Sequence, residues 1–200
     1  MTPGQGEPQL VPHPVPHPVP HPAQRPVRHL VLVGLPGAGK STVGRAVADR
    51  LGRPFVDLDA EIERSTGLSI GELFATRGEA AFRALERAAT AELVARPPAV
   101  VAPGGGWVTV PETVALLHST AHTIYLKVDP ETALRRLGRG VSKRPLLAHD
   151  HAGSEGALRQ LFTARRAAYE AADFVVDTEH LTRQQVTDSV VELARGQSGY

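Results

Sequence analysis

The stretch HLVLVGLPGAGKSTVGRAVADRL, residues 29 to 51, constrains the fold more than any other part of the chain. It is a short apolar run, then a loop with glycine at 34, 37 and 39, then a segment carrying Val43, Val47 and Leu51 at i, i+4 and i+8. That order spells a strand, a tight glycine-rich turn and an amphipathic helix. The loop matches the pattern Gly, four residues, Gly, Lys, Ser in full, and the flanking elements supply the context the motif requires. Its glycines allow consecutive N–H groups to turn inward, and the positive end of the helix dipole adds to their pull on phosphate. Lys40 offers a point charge to the β and γ phosphates of a nucleoside triphosphate, and the Ser41 hydroxyl can ligate Mg2+. The chain is therefore expected to bind ATP, with Gly37, Ala38, Gly39, Lys40, Ser41 and Thr42 around its phosphates.

Four more apolar segments follow, at 54 to 59, 98 to 103, 122 to 128 and 173 to 178, each separated from the next by helix-compatible sequence. Helices are expected at 40 to 51, 69 to 76, 78 to 95, 130 to 137, 155 to 172 and 182 to 195. Strands that alternate with helices imply a parallel sheet covered on both faces. Right-handed crossovers then place every strand-to-helix loop at one sheet edge, where α/β proteins bind their ligands.

Two hundred residues suit one domain that buries about 70% of the surface its unfolded chain would expose. With 22 Lys and Arg against 21 Asp and Glu, the formal charge is +1, so no global field points to nucleic acid or to a membrane. The absence of Cys excludes a disulfide framework, thiolate catalysis and zinc sites built on thiolates. No apolar run has the length of a membrane span, and the expected location is cytoplasmic. Nine of the 17 prolines fall in the first 26 residues, where a VPHP unit repeats. Residues 1 to 28 are therefore expected to form a disordered Pro/His-rich tail, with the folded domain at 29 to 200. His13, His17 and His21 could be a metal tract, but a spacing of four spreads them around a polyproline axis with three residues per turn.

Several candidates remain open on pattern alone. In DLD, Asp57 and Asp59 would share one face of a strand and look toward the loop edge together, or Asp59 would simply cap the next helix. Arg83 has Glu79 and Glu86 at helical spacing, which fits a surface ion-pair network as well as it fits a ligand clamp. The stretch RGVSKRPLLAHDH between Arg139 and His151 is basic and aperiodic, hence a surface loop or a moving lid. Three consecutive glycines, Gly104 to Gly106, precede the only tryptophan, and imply a turn, a binding surface or slack.

From Gly34 to Tyr169 the chain resembles the shikimate kinase family. The resemblance is carried by GLPGAGKSTVGR, DLDAEIE, SIGELFATRGEAAFRALE, GGG, KRPLL and RRAAY, in the family's order and at nearly its spacing. It implies a three-layer α/β P-loop kinase fold, with a five-stranded parallel sheet, helices on both faces and a mobile lid at about 139 to 152. It also implies ATP-dependent phosphorylation of the shikimate 3-hydroxyl and a monomeric protein. Carried over position by position, Lys40, Asp59 and Arg144 would be catalytic, and Arg136 and Arg144 would complete the nucleotide site. Asp59, Arg83, Gly104, Gly105, Gly106 and Arg165 would hold a small anionic polyol, and Ser41 with Asp57 would hold Mg2+. Arginine forks suit the carboxylate of such a polyol, and an acidic acceptor suits its hydroxyls. Phe74 and Phe82 would flank it, and Glu86 would orient Arg83.

Trp107 departs from the pattern, since a small residue is expected after the glycines. Either the acceptor pocket is reshaped or the indole points away into the core. This residue keeps open a second possibility, a gluconate-type or nucleotide kinase on the same fold. A third possibility is a nucleotide-binding module without catalysis, against which stand the intact Lys40, Asp57, Asp59 and Arg144.

Overall fold

The structure is a computed structural model and describes residues 27 to 138 and 153 to 198. The tail expected at 1 to 28 lies outside the described residues up to position 26, and so does the lid expected at 139 to 152. Five strands form one sheet: β1 (His29–Val33), β2 (Phe55–Asp57), β3 (Val100–Ala102), β4 (Ala121–Lys127) and β5 (Phe174–Asp177). Their order is β2-β3-β1-β4-β5, and every pairing is parallel. The apolar runs suit this arrangement. Leu30 to Val33, Val100, Val101 and Ile124 to Leu126 are buried, which only a sheet covered on both faces can provide.

The helices are α1 (Lys40–Leu51), α2 (Leu58–Thr66), α3 (Ile70–Leu93), α4 (Pro111–Ala115), α5 (Pro130–Leu137), α6 (Gly153–Glu170) and α7 (Arg183–Ser198). Helix α1 stops at Gly52, whose N–H closes onto the carbonyls of Ala48 and Asp49 from a left-handed conformation. Helix α3 begins with a reciprocal capping box between Ser69 and Glu72. It is broken at Gly78 (φ 76°, ψ 173°), the first residue of the second of the two helices expected at 69 to 76 and 78 to 95. The short α4, which follows a 3-10 turn at Trp107–Thr109, was not expected from periodicity, because five residues carry too little of it. Among the described residues no helix is long and apolar enough to cross a membrane.

His29, at the start of β1, shows how tightly the sheet meets the end of α3. Its Nδ1 accepts the Ala99 N–H at 3.0 Å, so the proton sits on Nε2, which donates to the Leu93 carbonyl at 3.0 Å. Burial holds its pKa below the ordinary 6.5, and the nearby Arg53 adds to the effect. A proton on Nδ1 would abolish the bond to Ala99. The unfolded chain therefore binds this proton more readily than the folded one, and stability is lost as pH falls below 6.5. This loss is expected to steepen the acid side of thermal unfolding by at most about 1.4 kcal/mol per pH unit. His29→Gln should remove that increment, so its melting temperature should converge with that of the wild type between pH 7.5 and 5. Parallel curves would contradict the assignment.

Candidate active site

The loop between β1 and α1 adopts a form that its glycines permit. Gly37 and Gly39 have φ of 88° and 94°, and a methyl group at position 37 would collide with the Ala133 carbonyl oxygen of α5. Helix α1 then opens with no side-chain cap and no acidic residue in its first turn, so its N-terminal charge is presented to the loop. The Lys40 ammonium donates to the carbonyls of Gly34 (2.9 Å) and Leu35 (3.2 Å) and so arches over the same loop.

The acidic pair differs from expectation in its secondary structure. Strand β2 ends at Asp57, and Asp59 already lies in the first turn of α2, so strand alternation does not align the two. The cap is Asp57, whose Oδ1 accepts the Ala60 N–H at 3.3 Å, while its Oδ2 accepts the Ser41 hydroxyl at 2.8 Å. Asp59 is thereby relieved of capping. Both residues nevertheless line one cleft of about 1240 Å3 together with Gly37 to Thr42.

The opposite wall is the glycine stretch. A Cβ on Gly104 would stand 2.9 Å from Asp59 Oδ1, one on Gly105 would stand 3.4 Å from Arg165 Nη1, and one on Gly106 would overlap the Arg83 guanidinium. Three charged side chains thus converge on bare backbone. Arg83 keeps both of its ion pairs, to Glu86 at 2.7 Å and to Glu79 at 3.1 Å, while lining the cleft, so the two readings of this residue are compatible. Burial works against its charge, but Glu86 and Glu79 more than offset this and hold its pKa above the usual value. Arg165 of α6 is buried in the cleft, whereas Arg166 faces away and pairs with Glu170 at 2.8 Å. Tyr169, one turn beyond Arg165, donates to the Gly105 carbonyl at 2.7 Å.

Glu86 is the unusual member. It is 1% exposed, and its Oε1 has no hydrogen-bond partner among the described residues, although Oε2 accepts from Arg83. Burial raises its pKa and Arg83 opposes the shift, while Asp59 adds to it. Phe74 and Phe82 pack as a tilted pair, ring centres 4.9 Å apart, and also line the cleft.

At the end of the cleft formed by α5 and the β5–α7 connection, Arg136 donates to the Thr178 hydroxyl (3.0 Å) and the Thr178 carbonyl (2.6 Å). Thr178 and Leu181 of the β5–α7 connection and Arg183, the first residue of α7, line the cleft as well, and the sequence pattern did not single them out. One signal was available: the loop after β5 must reach the same sheet edge as the phosphate loop. Trp107 is wholly buried in the main core and does not line the cleft, which resolves its two alternatives in favour of the core. Arg144 lies outside the described residues. Every other expected site residue lines this one cleft.

A family model described as shikimate kinase matches residues 36 to 195. The shikimate kinase of Synechococcus sp. (strain CC9605) is 43% identical over 166 residues, covering 83% of this chain and 82% of the relative. Among solved structures, the shikimate kinase of Acinetobacter baumannii in complex with shikimate superposes with a TM-score of 0.79 at 36% identity, covering 85% of this chain and 94% of that one. The shikimate kinase of Bacteroides thetaiotaomicron gives a TM-score of 0.76 at 31% identity, covering 86% and 99%.

Proposed function

The chain belongs to the shikimate kinase family and is an ATP-dependent kinase of a shikimate hydroxyl, and from that premise we propose how its own residues carry the transfer. The observation that carries the assignment of roles is the shared cleft, with the phosphate loop on one side and Gly104 to Gly106 with Arg83 and Arg165 on the other. That membership sets aside the gluconate-type, nucleotide-kinase and non-catalytic alternatives.

In this reading Gly37 to Thr42 cradle the triphosphate, and Arg136 packs at the nucleoside end. Arg83 and Arg165 take the shikimate carboxylate from two directions, and Gly104 to Gly106 let the ring lie against backbone. Asp59 accepts the acceptor hydroxyl, the 3-hydroxyl, and receives its proton as that oxygen bonds to the γ phosphorus and the bond to the ADP oxygen breaks. Buried Glu86 supplies a second acceptor oxygen for the polyol while orienting Arg83. Lys40 neutralises charge on the phosphoryl oxygens, and Arg144 is assigned the same task from the lid.

The Ser41 hydroxyl and the Asp57 carboxylate, bonded to each other at 2.8 Å beside the phosphate loop, are hard oxygen donors of the kind Mg2+ takes. They are the residues that would hold the ion, whose charge would stabilise the β and γ phosphate oxygens. We assign the cytoplasm as the setting and the monomer as the working state, on the composition and the family.

The test is coupled ADP release with ATP and Mg2+ in the presence of shikimate, gluconate, nucleoside monophosphates or no acceptor. Release is expected with shikimate only, and comparable release with another acceptor would overturn the assignment. Gly106→Ala reads the acceptor wall separately. A methyl group there displaces a guanidinium pinned by two carboxylates, so the shikimate KM should rise about tenfold or more while the ATP KM holds. An unchanged shikimate KM would remove Arg83 from the proposed carboxylate clamp.

A further inference from the structure

We propose that Trp107 and Thr90 form a clasp that fixes the glycine wall to the arginine-bearing helix, so that Trp107 is a positioning residue for the acceptor site. The inference rests on the assignment of Gly104 to Gly106 and Arg83 to acceptor binding.

The starting point is a mechanical problem. Three glycines in a row are the segment of the chain with the most conformational freedom to lose, yet here they must hold a fixed distance from two arginines. Their own backbone supplies part of the order. The Trp107 N–H donates to the Gly104 carbonyl at 3.0 Å, and the Thr109 N–H and hydroxyl both donate to the Gly106 carbonyl, at 3.1 and 2.7 Å. These bonds shape the turn but do not attach it to anything.

Attachment comes from two side chains. On one side Tyr169 of α6 donates to the Gly105 carbonyl, one helical turn beyond Arg165. On the other side the Trp107 indole Nε1 donates to the Thr90 hydroxyl of α3 at 3.0 Å, one helical turn beyond Glu86. Arg83, Glu86 and Thr90 follow at intervals of three and four residues, so they lie along one face of α3. The glycine turn therefore meets that face at two points, the Arg83 guanidinium over Gly106 and the Thr90 hydroxyl on the indole. Thr90 and Trp107 are both wholly buried, and the Thr90 proton is already committed to the Glu86 carbonyl at 2.7 Å. With its proton so committed, the Thr90 oxygen serves as an acceptor, and it receives the Trp107 indole N–H.

This explains the departure at position 107. A small residue there could not span the gap to α3, whereas an indole spans it and ends in a donor. The clasp presets the distance between the glycine wall and Arg83 before the acceptor arrives, and preorganisation of that kind is read in the acceptor KM.

The test uses the full chain with five variants, measuring the KM for shikimate and for ATP, kcat and melting temperature for each. Trp107→Phe keeps a ring and removes the donor, Thr90→Val keeps the shape and removes the acceptor, and Thr90→Ser keeps the hydroxyl. Trp107→Phe and Thr90→Val are each expected to raise the shikimate KM about 5- to 10-fold, with kcat and the ATP KM within about twofold. The double variant should be no worse than either single change, because one bond is lost only once, and Thr90→Ser should stay near the wild type. As the sole tryptophan, Trp107 should also report shikimate binding by a change in emission without ATP, and Thr90→Val should alter that response. Arg83→Lys separates the two ways of failing. If it raises the shikimate KM while Trp107→Phe and Thr90→Val do not, whatever they do to the melting temperature, the clasp is overturned and the acceptor wall stands. If none of the three raises it, both are overturned.

Discussion

Lys40→Ala is expected to lower kcat at least 10²-fold, about 2.7 kcal/mol of lost transition-state stabilisation, with the fold retained. Phosphoryl transfer leaves little covalent work to a protein, so placement and charge carry the rate. The Lys40 ammonium is held over the phosphate loop by the Gly34 and Leu35 carbonyls, and no part of its side chain belongs to the buried core. Its removal should therefore cost turnover far more than stability. Lys40→Arg sharpens the test, because a planar fork cannot replace a compact point charge between the same two carbonyls. It too should lose at least 10-fold in kcat. Coupled ADP release alongside a melting curve decides the matter. Turnover within threefold of the wild type for Lys40→Ala, in a protein that melts normally, would mean that the phosphates lie elsewhere.

Asp59→Asn should reduce kcat by about 10²- to 10³-fold while leaving the ATP KM within about twofold. The change is nearly isosteric, and the helix it sits in is capped by Asp57, so α2 should be undisturbed. What is removed is the carboxylate proposed to accept the hydroxyl proton, beside a carboxyl group whose own pKa is pushed upward. Burial is the main cause of that shift in Glu86, and the charge of Asp59 contributes to it. Loss of the Asp59 charge should let Glu86 ionise at lower pH, so the acid limb of any residual activity should move to lower pH. Single-turnover measurements across pH 5 to 8 would show it. Retention of kcat would reassign the proton to solvent and reduce Asp59 to a binding contact.

The sheet was legible because its strands lie in largely apolar runs punctuated by helix-compatible segments, a pattern that a parallel sheet satisfies. The phosphate loop was legible because its chemistry is local, with Gly37, Gly39, Lys40 and Ser41 acting within a few residues of one another. The DLD pair was legible as acids but not as geometry. Two residues' difference in where β2 yields to α2 decides whether Asp59 lies on a strand or in a helical turn, and element boundaries are poorly marked by pattern. The helical spacing of Glu79, Arg83 and Glu86 equally could not say whether the arginine faces solvent or a ligand, since an ion pair and a clamp use the same residues.

By itself the sequence determined the five-stranded α/β architecture and the glycine-rich loop before α1, and it named the arginine, aspartate and glycine set that one cleft brings together. Each of these is written in periodicity, in local chemistry or in motifs short enough to be read along the chain. Only the tertiary structure decided which atoms face one another. It turned Trp107 into the core, buried one oxygen of Glu86 beside Asp59, and brought the β5–α7 connection to the cleft. Those outcomes depend on contacts between segments tens of residues apart. Their directions are set by packing across the whole sheet, which no local stretch of sequence encodes.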